Sequence, residues 1–463
     1  MATVLVQPAF PAARQPAPVD VLIRGGSLYD GGGGPPRIAD VGLRGDRIVF
    51  VGTAPADLRP SRVVEARGLI VAPGFIDPHT HTDGDLRGLP TRGLTPFAMQ
   101  GVTTVVVGND GGGPVDVGAT LQRLGTSGIG LNAAFLTGHG TIRRQVLGMS
   151  ARAPTAVELD SMRLLVAAAM RQGAFGLSTG LYYAPGSYAT TEEVIELAKV
   201  AGSFGGYYDS HIRDESSYTI GLLGAVDETI RIGREAEIPV HFAHIKALGV
   251  DVWGQSDVVV SRVLAARAAG QRVTADQYPY AASGSSVGAS LLPRWAEAGG
   301  RDSLLRRLDD PAVKDKLKKE MTDNLRQRGG PESLLITAGQ WKGRRLAAVA
   351  TDLKVDAIDA AIAIIKGGDA GVASFNMSEN DIERLMAQAW VVTGSDGSAG
   401  HPRKYGTFPR KLRHYVFDRG VLSSGFGNGA RWPPGCTPIS SCSTRPRSPI
   451  DPPTSNRSCW PWA

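Results

Sequence analysis

From about residue 70 onward the chain alternates strand-like and helix-like segments at a spacing of about 33 residues, and this rhythm limits the fold more than any other feature. Thr103–Val107 is a continuous β-branched run, the pattern of a strand buried on both faces. Thr190-Thr-Glu-Glu193 has the form of a helix capping box, and Val194, Leu197, Ala198 and Ala201 fall on one face of the helix behind it. Tyr208–Ile212 reads as the next strand, followed by a helix with Leu223, Val226 and Ile230 in register. A strand over Pro239–Ile245, a helix capped by Ser256 and ended by Gly270, and a strand over Arg272–Asp276 continue the series. Such βα repetition predicts a parallel α/β barrel whose site lies at the C-terminal ends of the strands. Residues 283–350 break the rhythm with charged helical stretches such as Arg306–Arg328 and read as an insertion over the barrel mouth.

The ends of the chain follow other rules. Asp20–Arg24, Asp40–Arg44 and Arg47–Val51 are short strands separated by glycine-rich turns, with a hairpin signal at Gly45-Asp46, and predict a small β-sandwich piece over residues 19–70. Residues 1–18 form an Ala/Pro-rich leader that lacks the charged start and long apolar stretch of a signal peptide. A cytoplasmic location is expected, with export open if the true start lies upstream. No run of 18 or more apolar residues predicts a membrane span. A nucleic-acid partner is not expected either, because no concentrated Lys/Arg face stands out. The formal net charge is +6, but half of it sits in residues 422–463, where Arg431, Arg445, Arg447 and Arg457 face only Asp451. That tail also holds 8 of the 30 prolines and all three cysteines, Cys436, Cys442 and Cys459, so the main body has no disulfide framework. It reads either as a disordered Pro/Ser tail or, preferably, as a shifted reading frame that replaced the natural ending.

The residues that carry chemistry stand at strand ends. In Gly74-Phe-Ile-Asp-Pro-His79-Thr-His81 the two histidines are at i and i+2, so on an extended chain both point the same way. His211 ends Tyr-Tyr-Asp-Ser-His, His244 ends Val-His-Phe-Ala-His, and Asp396 follows the late strand Val391-Val-Thr-Gly-Ser. Four imidazoles and a carboxylate from separate strand ends make a metal-binding constellation, where any one alone reads as structural. His241 is three residues before His244, on the other face of its strand, and is expected to pack under a helix. His414 reads as a surface residue and His139 as a strand-end residue near the pocket.

This order resembles the amidohydrolase superfamily. Gly176-Leu-Ser-Thr-Gly-Leu-Tyr-Tyr-Ala-Pro-Gly186, Ser210-His-Ile-Arg-Asp-Glu215, Gly394-Ser-Asp-Gly397, His401-Pro-Arg403 and Gly406-Thr-Phe-Pro-Arg410 are similar to its N-acyl-D-amino-acid deacylase (D-aminoacylase) branch, over roughly residues 20–421. The resemblance implies a (β/α)8 barrel over residues 71–421 and hydrolysis of N-acyl-D-amino acids to a carboxylate and a free D-amino acid. It implies Zn2+, or another divalent metal, in one tight site held by His211 and His244 and a second, weaker site involving His79 and His81. It implies Asp396 as the base that activates water and then protonates the leaving nitrogen. The branch usually carries a cysteine after Gly-Asn behind the second strand; here Gly108-Asn109 is followed by Asp110, expected to serve as a harder ligand. Gly173–Thr179, which supplies a carbamylated lysine in other amidohydrolases, contains no lysine. A deacylase of amino acids must hold a free α-carboxylate. Lys246 shares a strand face with His244, and Arg403 follows Asp396, so both are expected there. Tyr183 and Tyr278 resemble the tyrosines that accompany them, and Arg294, in the insertion, is a candidate for selecting acidic side chains. The family's β domain is completed by strands from the C-terminus, and none is readable after residue 421, so the sandwich is expected to lack its C-terminal part. A cyclic-amide or dipeptide hydrolase, and an inactive, truncated scaffold, remain alternatives.

Overall fold

The computed structural model describes residues 19–32, 34–398 and 401–422. The leader through residue 18 and the tail beyond 422 lie outside the described residues, and so do the expectations attached to them. Two compact units divide at Pro73/Gly74.

The first unit is a five-stranded sheet. Strand β1 (Val21–Leu28) pairs antiparallel with β2 (Arg37–Arg44), and β2 with β3 (Arg47–Gly52). β4 (Arg62–Glu65) and β5 (Ile70–Val71) both lie parallel to β1. Gly45 takes the expected turn with φ +55°, which a side chain would disfavour, and its N–H donates to Asp20 Oδ2 at 2.6 Å. The carboxylate of Asp40 accepts from Gly25 N at 2.7 Å and Ala54 N at 2.8 Å, which fixes the flanking loops. Leu28, Ala39 and Val41 form a small core.

The second unit is mixed α/β. β6 (Phe75–Asp77), β7 (Val102–Val107) and β8 (Asn132–Phe135) are parallel neighbours. β9 (Thr137–Gly138), β10 (Gly176–Gly180), β11 (Tyr207–His211), β12 (Val240–Phe242) and β13 (Val273–Gln277) form a second parallel run. β14 (Ala282–Ser286), β15 (Leu334–Ile336) and β16 (Gly371–Phe375) make a separate antiparallel sheet. β17 (Val391–Thr393) then adds to the parallel run beside β13. Only Leu136 separates β8 from β9, and an isolated parallel bridge joins Thr80 to Gly397. β10, β11 and β12 are buried at every position, as strands covered on both faces must be. Gly176 is required by packing, since a Cβ there would lie 2.1 Å from the carbonyl oxygen of Tyr207.

Helices follow the strands as the periodicity predicts, with two corrections at their caps. Thr190 does cap the helix Thr191–Ser203 by accepting from Glu193 N, but the reciprocal half of the box is replaced. The Glu193 carboxylate turns instead to His139, at 2.9 Å, and to Arg143. Ser256 is the first residue of the helix Ser256–Ala268, not its cap. Asp381 reaches across to accept from Gly254 N and Ser256 N, so the free N–H groups of that helix start are met from another helix. The β14–β16 sheet and its helices, including Pro311–Gln327, bury a core of their own around Leu317, Met321, Val349 and Ile362. No helix among the described residues is long and apolar enough to cross a membrane.

Candidate metal centre and substrate pocket

Behind β6 the chain stays extended and is clamped on both sides. Thr80 N and Oγ1 donate to Val106 O at 3.2 and 2.8 Å, His81 N donates to Gly397 O at 3.0 Å, and Asp396 N donates to His79 O at 2.9 Å. The i, i+2 relation therefore sends both imidazoles the same way, with ring centroids 5.3 Å apart. The clamp also sets Asp396 beside them: its Oδ1 lies 3.1 Å from His81 Nε2 and 3.8 Å from His79 Nε2.

Asp110 stands at the centre of the cluster. The loop after β7 reaches it through Gly108 (φ +84°), and Asp110 itself takes φ +55°, a conformation that Asp tolerates better than most residues. The loop then packs against β10 so closely that a Cβ on Gly180 would lie 2.3 Å from Asp110 O. Held there, the carboxylate meets all four histidines: His79 Nε2 at 3.6 Å, His81 Nε2 at 3.5 Å, His211 Nδ1 at 3.5 Å and His244 Nε2 at 3.8 Å. His244 (φ +34°) and Asp396 (φ +47°) share the left-handed backbone. Such strain, of order 1–3 kcal/mol each, gathers where function fixes side-chain direction.

Beside the ring lie the groups expected to meet substrate. Lys246 Nζ lies 2.7 Å from His244 Nδ1 and 2.5 Å from Glu215 Oε1. Glu215 was missed by sequence reasoning as a site residue; its Oε1 is also 3.1 Å from His244 Nδ1. Arg403 sets Nη1 2.7 Å from Asp396 Oδ2 and lies over the Tyr278 ring at 4.4 Å. Gly284 makes room for it, because a Cβ there would lie 2.6 Å from Arg403 Nη2. Tyr183 packs its ring 4.7 Å from that of His211. These groups border one cavity of about 620 Å³, which also takes in His401, Tyr182 and Arg328. Arg294 does not line it: its guanidinium donates to Glu297 and to the carbonyls of Ala289 and Leu292, and lies over the Tyr182 ring at 4.7 Å. His139 is likewise spent on Glu193, His241 is buried with Nδ1 3.1 Å from Thr274 Oγ1, and His414 is partly exposed beside Glu379.

The donor set fits a divalent ion. Three groups, His79–His81–Asp396, His79–Asp110–His244 and His211–Glu215–His244, each offer ligand atoms within 4.8 Å of one another. Ligands at about 2.0–2.1 Å around a tetrahedral ion stand about 3.3 Å apart, close to the 3.0 Å between His211 Nδ1 and His244 Nε2 and the 3.5–3.8 Å from Asp110 to the imidazoles. Both ring nitrogens of His79 and Oδ1 of Asp110 are buried without a hydrogen-bond partner among the described residues, a cost that an ion would remove. Burial drives His79 down to about 4 against the pull of Asp110, so the ring is neutral at neutral pH, the form that ligates. Burial and Lys246 push His244 down, but Glu215 and Asp110 outweigh them and lift it to about 10; carboxylates that hold a proton there favour a cation in its place. Burial opposes the charge on Asp396, yet Arg403 and His81 hold its carboxyl well below the usual range.

An α/β chain with such a centre at the ends of its parallel strands is a metal-dependent hydrolase in architecture, and the comparisons with known proteins agree. Residues 62–247 match the model of the amidohydrolase family. The D-aminoacylase of Alcaligenes xylosoxydans xylosoxydans is 35% identical over 444 residues, covering 88% of this chain and 81% of that protein. The N-acyl-D-glutamate deacylase of the same organism is also 35% identical, over 434 residues, covering 88% and 80%. The crystal structure of N-acyl-D-glutamate deacylase from Bordetella bronchiseptica, solved with zinc and a phosphonate inhibitor, superposes with a TM-score of 0.73 at 30% identity, covering 88% of this chain and 83% of that one. The chain belongs to the amidohydrolase family and, within it, to the D-aminoacylases and N-acyl-D-amino-acid deacylases.

Proposed function

We propose that the chain hydrolyses the amide bond of N-acyl-D-amino acids, releasing a carboxylate and a free D-amino acid. One observation carries the reading: a single cavity joins three imidazoles of the cluster, His81, His211 and His244, to two buried cations, Lys246 and Arg403, suited to a free α-carboxylate. His211 and His244 would hold the tighter ion, His79 and His81 would help form the second site, and Asp110 would be shared between them. Nitrogen and oxygen donors suit zinc, and the oxygen of Asp110 also suits harder divalent ions. When bound, such an ion lowers the pKa of water and polarises a carbonyl.

The rest is the work of the chain's own residues. Asp396, kept ionised by Arg403, accepts the proton of the attacking water and returns it to the departing nitrogen. Arg403 keeps Nε without a hydrogen-bond partner among the described residues, a donor for the substrate α-carboxylate, and Lys246 adds a second charge. Burial keeps the Tyr183 and Tyr278 hydroxyls protonated far above neutral pH; Tyr183 serves as a donor to a substrate oxygen, and Tyr278 donates to Met377 Sδ at 3.7 Å, a weak acceptor that a substrate oxygen would replace.

The parallel strands are read as a closed (β/α)8 barrel, with β8 and β9 as one strand interrupted at Leu136 and the Thr80–Gly397 bridge linking first and last. Residues 19–70 would be the small β domain, residues 71–421 the hydrolase with its insertion at about 283–350. Exposure of all four β4 residues, and of Ile38 at 74%, supports a sandwich that lacks partner strands among the described residues. The test is metal content of the purified protein together with amino-acid release from N-acetyl-D-methionine and its L-isomer. Bound metal with D-selective release is expected. Bound metal with release only from a cyclic amide or a dipeptide would overturn the reading.

A further inference from the structure

Three lysine and arginine side chains reach the cavity, and two of them have carboxylate partners. Lys246 is paired with Glu215 at 2.5 Å and Arg403 with Asp396 at 2.7 Å. Arg328 has no carboxylate partner among the described residues, although it is only 2% exposed. Its contacts are neutral. Nε donates to Ser290 O at 3.0 Å, Nη2 to the Tyr182 hydroxyl at 3.0 Å and Nη1 to Ser374 Oγ at 3.4 Å. The guanidinium lies over the Tyr218 ring at 5.4 Å. A guanidinium carries five N–H donors, so these bonds leave donors unused.

A buried cation with no counter-charge is costly, and removing one partner of a buried pair costs several kcal/mol for that reason. Arg328 directly follows the helix Pro311–Gln327, where the helix dipole offsets part of the cost but supplies no anion. The cavity that it lines also takes in the neutral polar side chains of Ser283 and Ser285 from β14 and of Thr337 behind β15. No carboxylate among the described residues pairs with the guanidinium, whereas an anion entering the cavity would.

We propose that Arg328 receives a second carboxylate of the substrate, so that the preferred substrates are dicarboxylates: N-acyl-D-amino acids with an acidic side chain, or with an acyl group that ends in a carboxylate. The inference rests on the deacylase reading, in which the α-carboxylate is already taken by Arg403 and Lys246.

The experiment compares N-acetyl-D-glutamate, N-succinyl-D-methionine and N-acetyl-D-methionine as substrates of the metal-loaded protein and of its Arg328→Met and Arg328→Lys variants. Equilibrium binding of the same three compounds to Asp396→Asn, with and without Arg328→Met, is measured alongside. The wild type should favour one dicarboxylate over N-acetyl-D-methionine by about 100-fold in kcat/KM, as expected for a desolvated charge pair. Arg328→Met should abolish that preference through KM, and Arg328→Lys should keep part of it. The glutamate and succinyl arms distinguish a side-chain carboxylate from one on the acyl group. A wild type that prefers N-acetyl-D-methionine, or a loss of equal size on all three substrates in both Arg328 variants, overturns the proposal. Turnover of none of the three, with dicarboxylate binding that Arg328→Met removes, overturns the deacylase reading and upholds the Arg328 site. If Arg328→Met fails to fold, the Arg328→Lys profile and the wild-type preference decide.

Discussion

Replacing Asp110 with Asn tests whether this residue is a metal ligand or only the corner of a turn. The substitution keeps size and shape, and Asn accepts the left-handed backbone as readily as Asp, so φ +55° adds no new strain. Only the charge and one strong oxygen donor are lost. A structural zinc site binds with about 10–16 kcal/mol spread over four ligands, or roughly 3 kcal/mol per ligand. At 1.4 kcal/mol per tenfold, loss of one ligand weakens binding by about 100-fold. Asp110 is within 3.8 Å of all four imidazoles, so both halves of the cluster should feel the change. Competition titration against chelators of graded affinity, with elemental analysis of the dialysed protein, measures the effect. Melting of the metal-free form measures separately what the Asp110 carboxylate contributes to the unloaded cluster, where it faces all four imidazoles. Unchanged affinity and stoichiometry, with a metal-free form destabilised by about 1–2 kcal/mol, would show that Asp110 merely holds its loop, and the reasoning fails.

Three further outcomes are expected. Asp396→Asn should lower kcat by about 10²–10⁴ while leaving the metal content of the His211–His244 half intact, checked by elemental analysis beside the rate; retained kcat removes Asp396 from proton transfer. Glu193→Ala strands Arg143 and His139 in the interior and should cost about 3–5 kcal/mol in urea unfolding, with a loss below about 1 kcal/mol arguing against a buried ion pair. Lys411 is 8% exposed and burial lowers it from 10.5 to about 8, so its folded value lies below its unfolded one. The fold then disfavours the proton, and stability gained from this group rises as pH climbs from about 8 to about 10.5. Lys411→Met should therefore stabilise the protein at pH 7 by up to about 3 kcal/mol and lose that advantage above about pH 10.5, and equal unfolding curves at pH 7 would refute the burial argument.

Most of the frame was legible because it depends on local pattern. The β-branched run ending at Val107 could bury both faces only as an inner strand, and β7 buries Thr104–Val107 on both faces, leaving only Thr103 exposed. The i, i+2 histidines needed only an extended backbone to face one way, and the clamp by Val106 and Gly397 provides it. Where local pattern had to compete with a distant partner, it failed. The box at Thr190 lost its glutamate to Arg143 and His139, since a buried guanidinium needs a carboxylate more than an exposed helix start does. Ser256 lost its cap to Asp381, which is 125 residues away in sequence.

The same distinction separates the candidate site residues that were visible from those that were not. His79, His81, His211 and His244 announce themselves, because a histidine at a strand end is uncommon and four of them in order are not accidental. Glu215 is one acid among many; what marks it is the ammonium of Lys246, which reaches it from 31 residues further along the chain. Arg328 ends a helix studded with lysines and arginines that water solvates, and no sequence signal sets it apart from them. Arg294 stood out because it lies in the insertion near the barrel mouth, yet folding lays it over Tyr182 and satisfies it with Glu297. Metal ligands are chosen by element type and geometry, which strand periodicity conveys. Charges that select a substrate are defined by what does not neutralise them, and that depends on every neighbour at once.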